Sequence, residues 1–263
     1  MSELEDSMAI ARRAAALAGE VIMPLYSAGL SVELKADHTP VTEADRAAER
    51  SVREFLAREC PGHGILGEEY GESPGDGRHR WIIDPIDGTK SFIRHVPLFG
   101  TLIALERDGE PVVGVIACHA TGETAWAAKG AGAFINDHRA HVSPTAALAE
   151  ATVLMTSFSQ LARYRPMAFR RLVERSGLLR TWGDCYGYLL VAGGRADVML
   201  DPIVNIWDVA ALYPIITEAG GRLTNWEGTD AIGTSAVATN GILHETMIDT
   251  INDPGQAPVI PEE

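Results

Sequence analysis

Trp81-Ile82-Ile83-Asp84-Pro85-Ile86-Asp87-Gly88-Thr89 decides how this chain is read. Three apolar residues run into two carboxylates three positions apart, and a Gly-Thr turn follows. The pattern predicts a buried strand opening into a charged loop. Carboxylates with such flanks need compensation for lost hydration, and a divalent cation supplies it. All-oxygen donors suit Mg²⁺ or Mn²⁺ better than zinc. Pro85 fixes its own φ and keeps Asp84 extended, so Asp84 and Asp87 can converge with the carbonyl of Ile86 as a third oxygen donor. Gly88 permits a tight turn. Thr89 then starts a short helix, expected to reach about Arg94, whose free N–H groups form a phosphate cradle. Metal carboxylates beside such a cradle point to phosphate-ester chemistry.

Composition sets the outer bounds. The chain has 263 residues, enough for one large domain, and 46% are apolar. A formal net charge of −14 argues against nucleic acid as a partner. No apolar run has the length of a membrane span. The acidic start Met1-Ser2-Glu3-Leu4-Glu5-Asp6 does not resemble a secretory signal, so a cytoplasmic location is expected. Cys60, Cys118 and Cys185 form no CxxC pair, which speaks against a disulfide framework or a zinc site. The eight histidines are scattered, without a zinc spacing, and read as structural or surface residues.

Periodicity predicts a helix over 4–28 with Pro24 late enough to bend it, and a short strand at 32–35 followed by a turn at 37–40. A second helix, N-capped by Thr42, runs to about Cys60. Residues 71–80 read as a mobile polar loop, and 98–107, 111–119 and 122–128 as antiparallel strands. Beyond a hairpin and connection at 130–144, strands near 151–156, 178–181, 197–200 and 235–239 alternate with helices near 160–177, 184–194, 206–219 and 241–252. We expect one domain with subdomains of about 1–142 (metal and phosphate motifs) and 143–252 (substrate side), and a disordered tail over 253–263.

Three further acidic places stand near predicted element ends: Asp45, Glu68-Glu69 and Asp208. Each alone reads as an ordinary solvated carboxylate, Asp45 as a first-turn residue complementing its helix dipole. Together, Asp45, Gly67-Glu68-Glu69, Asp84-Pro85-Ile86-Asp87-Gly88-Thr89, Trp207-Asp208 with Ala210-Ala211, and Glu218-Ala219-Gly220-Gly221 resemble the inositol monophosphatase superfamily of lithium-sensitive, Mg²⁺-dependent phosphatases. The resemblance implies an α/β layered αβαβα sandwich and a homodimer. It implies two or three Mg²⁺ ions, with Mn²⁺ as a substitute, held by Glu68, Asp84, the Ile86 carbonyl, Asp87 and Asp208. Catalytic roles would fall to Thr89, which positions the attacking water, to Asp45, which accepts the threonine proton, and to Glu68. Gly88 and Thr89 would bind phosphate. No member of this set is missing, which argues against a non-catalytic metal- or phosphate-ester-binding protein.

Trp182-Gly183-Asp184-Cys185-Tyr186-Gly187-Tyr188 and Asn205-Ile206-Trp207-Asp208 are similar to the histidinol-phosphatase branch of that superfamily, as is Phe99-Gly100-Thr101-Leu102-Ile103. The expected substrate is therefore L-histidinol phosphate. Inositol 1-phosphate or a broader range of sugar and polyol phosphates is the alternative. Histidinol phosphate carries an ammonium and an imidazole, and Asp184 and Asp201 offer carboxylates to the first. Asn205 offers a hydrogen bond to the second. Asp184 and Asn205 read equally well as helix N-caps.

Overall fold

A computed structural model describes residues 3–28, 32–34 and 40–253. The described residues fold into two large β-sheets separated and flanked by helices, with a small antiparallel pair of strands, Val32–Leu34 and Pro40–Thr42, beside them in sequence. The first half builds an eight-stranded sheet in the order 138–139, 132–135, 123–128, 110–118, 100–107, 79–87, 64–67, 71–73. Neighbours are antiparallel except Gly64–Gly67, which runs parallel to His79–Asp87. The second half builds a five-stranded mixed sheet in the order 178–180, 152–154, 198–201, 236–239, 222–224. Its first two pairings are parallel and its last two antiparallel.

The period-2 alternation of side chains divides the interior into layers. Trp81, Ile83, Ile103, Leu105, Val113 and Val115 face the helices Glu3–Ala28 and Glu43–Glu59. Their alternates Ile82, Leu102, Ala104 and Ile116 face the opposite way, onto the helices Cys185–Ala192 and Leu212–Glu218. The far side of those helices meets Leu154, Met199, Ala236 and Ala238 of the second sheet. Val153, Met155, Val198, Leu200 and Val237 pack beneath Leu161, Leu172, Met247 and Ile251 of the outermost helices. The result is the αβαβα sandwich expected from the resemblance.

Helix Glu3–Ala28 can lie close to the sheet because its inward face is small: Ala11, Ala14, Ala15, Ala18 and Gly19 are buried there. A Cβ on Gly19 would sit 2.5 Å from Nδ1 of His119, so that glycine is set by contact with the imidazole. Pro24 lies inside the helix, which continues to Ala28. Among the described residues no helix is long and apolar enough to cross a membrane.

Several expectations need correction. Residues 71–80 are not one loop: Gly71–Ser73 forms an edge strand, and His79 and Arg80 begin the central strand. The helix expected over 160–177 is two, Phe158–Tyr164 and Pro166–Arg175, because a proline at 166 cannot donate its N–H to a preceding turn. The helix expected over 206–219 is also divided, into Ile206–Val209 and Leu212–Glu218. The strands Gly64–Gly67 and Arg222–Thr224 were not anticipated. Most of the turn expected at 37–40 and of the tail from 254 lies outside the described residues.

Candidate active site

The expected strand ends in a β-bulge, and the bulge makes the site. Asp84 pairs with Leu102 and Asp87 with Gly100, so three steps on one strand oppose two on its neighbour. Residues three apart in a regular strand point to opposite faces. The extra residue reverses the alternation, so Asp87 returns to the face of Asp84, while the Ile86 side chain is sent into the helix-side core. That shared face is the one against which helix Ile206–Val209 packs, and Asp208 enters from it. Carboxylate oxygens of Asp84, Asp87 and Asp208 consequently lie within 4.8 Å of one another.

Burial first, and neighbouring carboxylates after it, raise the pKa of all three. Burial, then Glu68, Asp87 and Asp208, lift Asp84 well above the usual carboxylate range. Burial, then Asp184 and Asp208, lift Asp87. Asp208 is pushed up to about 6, chiefly by burial, although hydrogen bonds from Asn205 oppose the shift. Glu68 lies within hydrogen-bonding reach of Asp84 and joins the cluster. Oδ1 of Asp84 is buried without a hydrogen-bond partner. An unpartnered buried carboxylate oxygen facing three other carboxylates is the environment a divalent cation fills.

Gly88 follows the bulge at φ 86°, and a Cβ there would come within 2.8 Å of the Leu98 carbonyl. Both the left-handed backbone and the close approach require glycine. The helix after it is shorter than expected, Thr89–Phe92 rather than to Arg94. The N–H groups of Ser91 and Phe92 both return to the Gly88 carbonyl, so the amides ahead of them have no acceptor within the helix. The Thr89 hydroxyl donates to the Ile86 carbonyl at 3.0 Å and lies 3.4 Å from Oδ1 of Asp45.

Asp45 is not the solvated first-turn residue suggested by its position. It is buried, its Oδ2 accepts both the N–H and the hydroxyl of Thr42 at 2.8 and 2.6 Å, and its other oxygen is left toward Thr89. Burial raises its pKa against those hydrogen bonds.

The second half of the chain supplies the opposite wall of a cavity of about 400 Å³. Asp184 and Asp201 line it, with Thr156, Gln160 and Tyr188. Asp201 is buried and accepts from the Tyr188 hydroxyl at 2.9 Å and from the Thr156 N–H at 3.1 Å. Asp184 precedes helix Cys185–Ala192 but makes no side-chain cap. It holds an unusual φ of 51°, its carboxyl lies beside Ser91 and Lys90, and burial with the nearby Asp201 pushes its pKa up to about 7. A strained non-glycine residue aimed into a cavity is a mark of function. Asn205 departs from expectation. It is exposed, outside the cavity lining, and its N–H donates to Oδ2 of Asp208 at 2.6 Å. Its side-chain amide also lies 3.4 Å from the same oxygen, so Asn205 orients the Asp208 carboxylate.

Sequence reasoning passed over Glu49, Thr156, Gln160 and Tyr188. Glu49 is fully buried and accepts from the N–H groups of Glu69 and Tyr70 at 2.7 and 3.2 Å and from Arg53 at 2.7 Å. It thereby fixes the loop that carries Glu68. Thr156 and Gln160 carry no local signal, because only the packing of the two halves brings them to the cavity. A second group of ligand-type residues, His63, Asp76 and His79, lies near the opposite end of the central strand. Its imidazoles stack at 4.5 Å and 12°, and Asp76 already accepts from Arg78 N–H, His79 N–H and the His79 ring. Ring lone pairs in parallel planes do not converge on one ion, so this cluster is structural.

Residues 3–256 match the inositol monophosphatase family. The chain is 43% identical over 255 residues to a histidinol-phosphatase of Mycobacterium tuberculosis, covering 94% of this chain and 98% of that one. It is 41% identical over 205 residues to an inositol-1-monophosphatase of Rhizobium meliloti, covering 76% and 77% respectively. The crystal structure of extragenic suppressor protein suhB from Bartonella henselae superposes with a TM-score of 0.90 at 31% identity, covering 95% of this chain and all of that one. A bulge-built acidic cluster in an αβαβα sandwich thus has relatives along nearly its whole length, and the chain belongs to the inositol monophosphatase family as a phosphomonoesterase of small phosphate esters.

Proposed function

We propose that the protein hydrolyses L-histidinol phosphate to L-histidinol and phosphate with Mg²⁺ as its cofactor. Glu68, Asp84, the Ile86 carbonyl, Asp87 and Asp208 would hold the ions, and the unpartnered Oδ1 of Asp84 fits that role. Bound there, divalent cations supply an acidified water and charge neutralisation for the phosphate and the departing alkoxide.

The remaining roles belong to the chain's own groups. Thr89 holds the attacking water through its hydroxyl oxygen, and Asp45, with one oxygen committed to Thr42 and the other toward Thr89, takes up the threonine proton when that hydroxyl turns from the Ile86 carbonyl. Glu68 orients the water from the other strand. The backbone amides of Gly88 and Thr89 receive phosphate oxygens at the left-handed turn. Mn²⁺ can substitute, since the donors are all oxygen.

The observation that carries the substrate assignment is the charge of the cavity. Beyond the four carboxylates of the cluster, its wall holds Asp184 and Asp201, against Lys90 as the single lysine among the described residues. An ammonium-bearing ester gains from those two acids, and inositol phosphate, with hydroxyls only, does not. A charged hydrogen bond of this kind contributes about 1.5–3 kcal/mol. The histidinol-phosphatase relative at 43% identity supports the same reading. Inositol 1-phosphate is the second reading, supported by the Rhizobium relative. The test is kcat/KM for both esters with the same preparation. A higher value for histidinol phosphate is expected, and a higher value for inositol 1-phosphate would overturn the assignment.

A homodimer working in the cytoplasm completes the reading. It rests on the likeness to the superfamily, and sedimentation at twice the chain mass checks the dimer.

A further inference from the structure

We propose that Thr101, oriented by His119, is a positioning residue that sets the bulge between Asp84 and Asp87 in its metal-binding shape. The inference rests on the reading of that cluster as a magnesium site.

A bulge leaves backbone groups outside the ladder, and the carbonyls of Pro85 and Ile86 fall in the irregular stretch. Both are taken up by hydroxyls. Ile86 O receives Thr89, and Pro85 O receives the buried Thr101 hydroxyl at 2.8 Å. Thr101 sits on the neighbouring strand directly opposite the bulge, between the partners of Asp84 and Asp87. Its oxygen also lies 2.9 Å from Nε2 of His119.

One hydroxyl hydrogen cannot serve both contacts. A carbonyl can only accept, so the hydrogen goes to Pro85, and His119 donates its Nε2–H to the threonine oxygen. The imidazole is largely buried and faces Gly19 of the first helix, where a side chain would collide with it. The ring is thus clamped between helix and sheet and fixes the threonine rotor. The rotor fixes the Pro85 carbonyl, and with it the plane of the peptide leading into Ile86. Ile86 is anchored by its side chain in the core, its carbonyl accepts from Thr89, and it lines the cavity beside the cluster. Outer hydrogen bonds of this kind typically carry about 10-fold or more in metal affinity.

The test is calorimetric titration with Mg²⁺ alone, without substrate, on Thr101→Val, Thr101→Ser, His119→Leu and His119→Gln. Thr101→Val and His119→Leu, which remove a donor at nearly constant bulk, should raise the Mg²⁺ dissociation constant about 10-fold. Thr101→Ser and His119→Gln keep a donor and should return it to within about twofold, a rescue that packing alone does not give. Thermal unfolding in EDTA identifies a variant that fails to fold, in which case the other donor-lacking variant carries the test. Wild-type affinity in the donor-lacking pair, or equal weakening in the donor-keeping pair, overturns the proposal. If the unmodified protein shows no Mg²⁺ binding that Asp84→Asn abolishes, the metal-site reading falls, and this inference with it.

Discussion

The backbone N–H of Cys185 donates to Oδ2 of Asp87, 98 residues earlier in the chain. One contact joins the bulge of the first sheet to the start of a helix in the middle layer. The acidic cluster therefore stands at the junction of the two halves.

Asp87→Asn tests the cluster directly. We expect kcat/KM to fall about 1,000-fold, on the order of 4 kcal/mol of transition-state stabilisation. Without metal the sign on stability reverses. Asp87 is crowded by Asp184 and Asp208, so removing its charge should raise Tm in EDTA by a few degrees, at about 2–4 °C per kcal/mol. A variant with near-normal turnover, or a lower Tm in EDTA, contradicts the assignment.

The pH dependence of the metal-free protein follows from the raised carboxylates. Their folded-state pKa values lie above the ordinary 3.8, at about 6 for Asp208 and about 7 for Asp184. Between those limits the folded chain binds more protons than the unfolded chain, so stability falls as pH rises from about 4 to 7. His119 and His244, lowered to about 4 from 6.5 by burial, act in the opposite sense over part of that window. The increment in Tm on adding Mg²⁺ separates the two, because metal competes with protons only at the carboxylates. It should be larger at pH 8 than at pH 5.5. Equal increments would remove the argument.

Asp184→Asn should discriminate between substrates. Loss of the charge is expected to lower kcat/KM for histidinol phosphate about 10-fold, consistent with roughly 1.5 kcal/mol, and to leave the value for inositol 1-phosphate much less affected. A uniform loss for both esters would mean that Asp184 serves the metals or the fold and not the ammonium.

Glu49→Ala removes the acceptor that holds Glu69, Tyr70 and Arg53. Breaking a buried pair in this way costs about 3 kcal/mol, or at least about 6 °C in Tm. Because the released loop carries Glu68, Mg²⁺ affinity should weaken as well. A drop in Tm with unchanged Mg²⁺ affinity would confine Glu49 to the fold.

The core of the site was legible because Asp84 and Asp87 are carboxylates among residues that demand burial. Thr42 was legible as a helix start from its capping chemistry, and the structure gives it a full capping box with Asp45. What escaped the sequence depends on distance along the chain. Glu49 acts on a loop about 20 residues away, and no local pattern separates it from a surface glutamate of a charged helix. Gly64–Gly67 has four residues, two of them glycine, and is a strand because His79–Asp87 and Gly71–Ser73 pair with it on either side. Asp45 shows the limit of reading residues singly: its helix position is what the sequence suggested, and its environment is the opposite. Asn205 shows the converse: it stands at the helix start the sequence suggested, with its N–H and side-chain amide turned onto Asp208.

The single surplus residue between Asp84 and Asp87 also governs how this protein can be altered. Reactivity depends on a spacing, which point substitution leaves intact and an insertion or deletion would destroy by sending one acid to the far face. On the proposed reading, selectivity rests on Asp184 and Asp201, which line the cavity from separate segments of the other half. On that reading a designer, or natural drift, would exchange the ester accepted at positions outside the bulge.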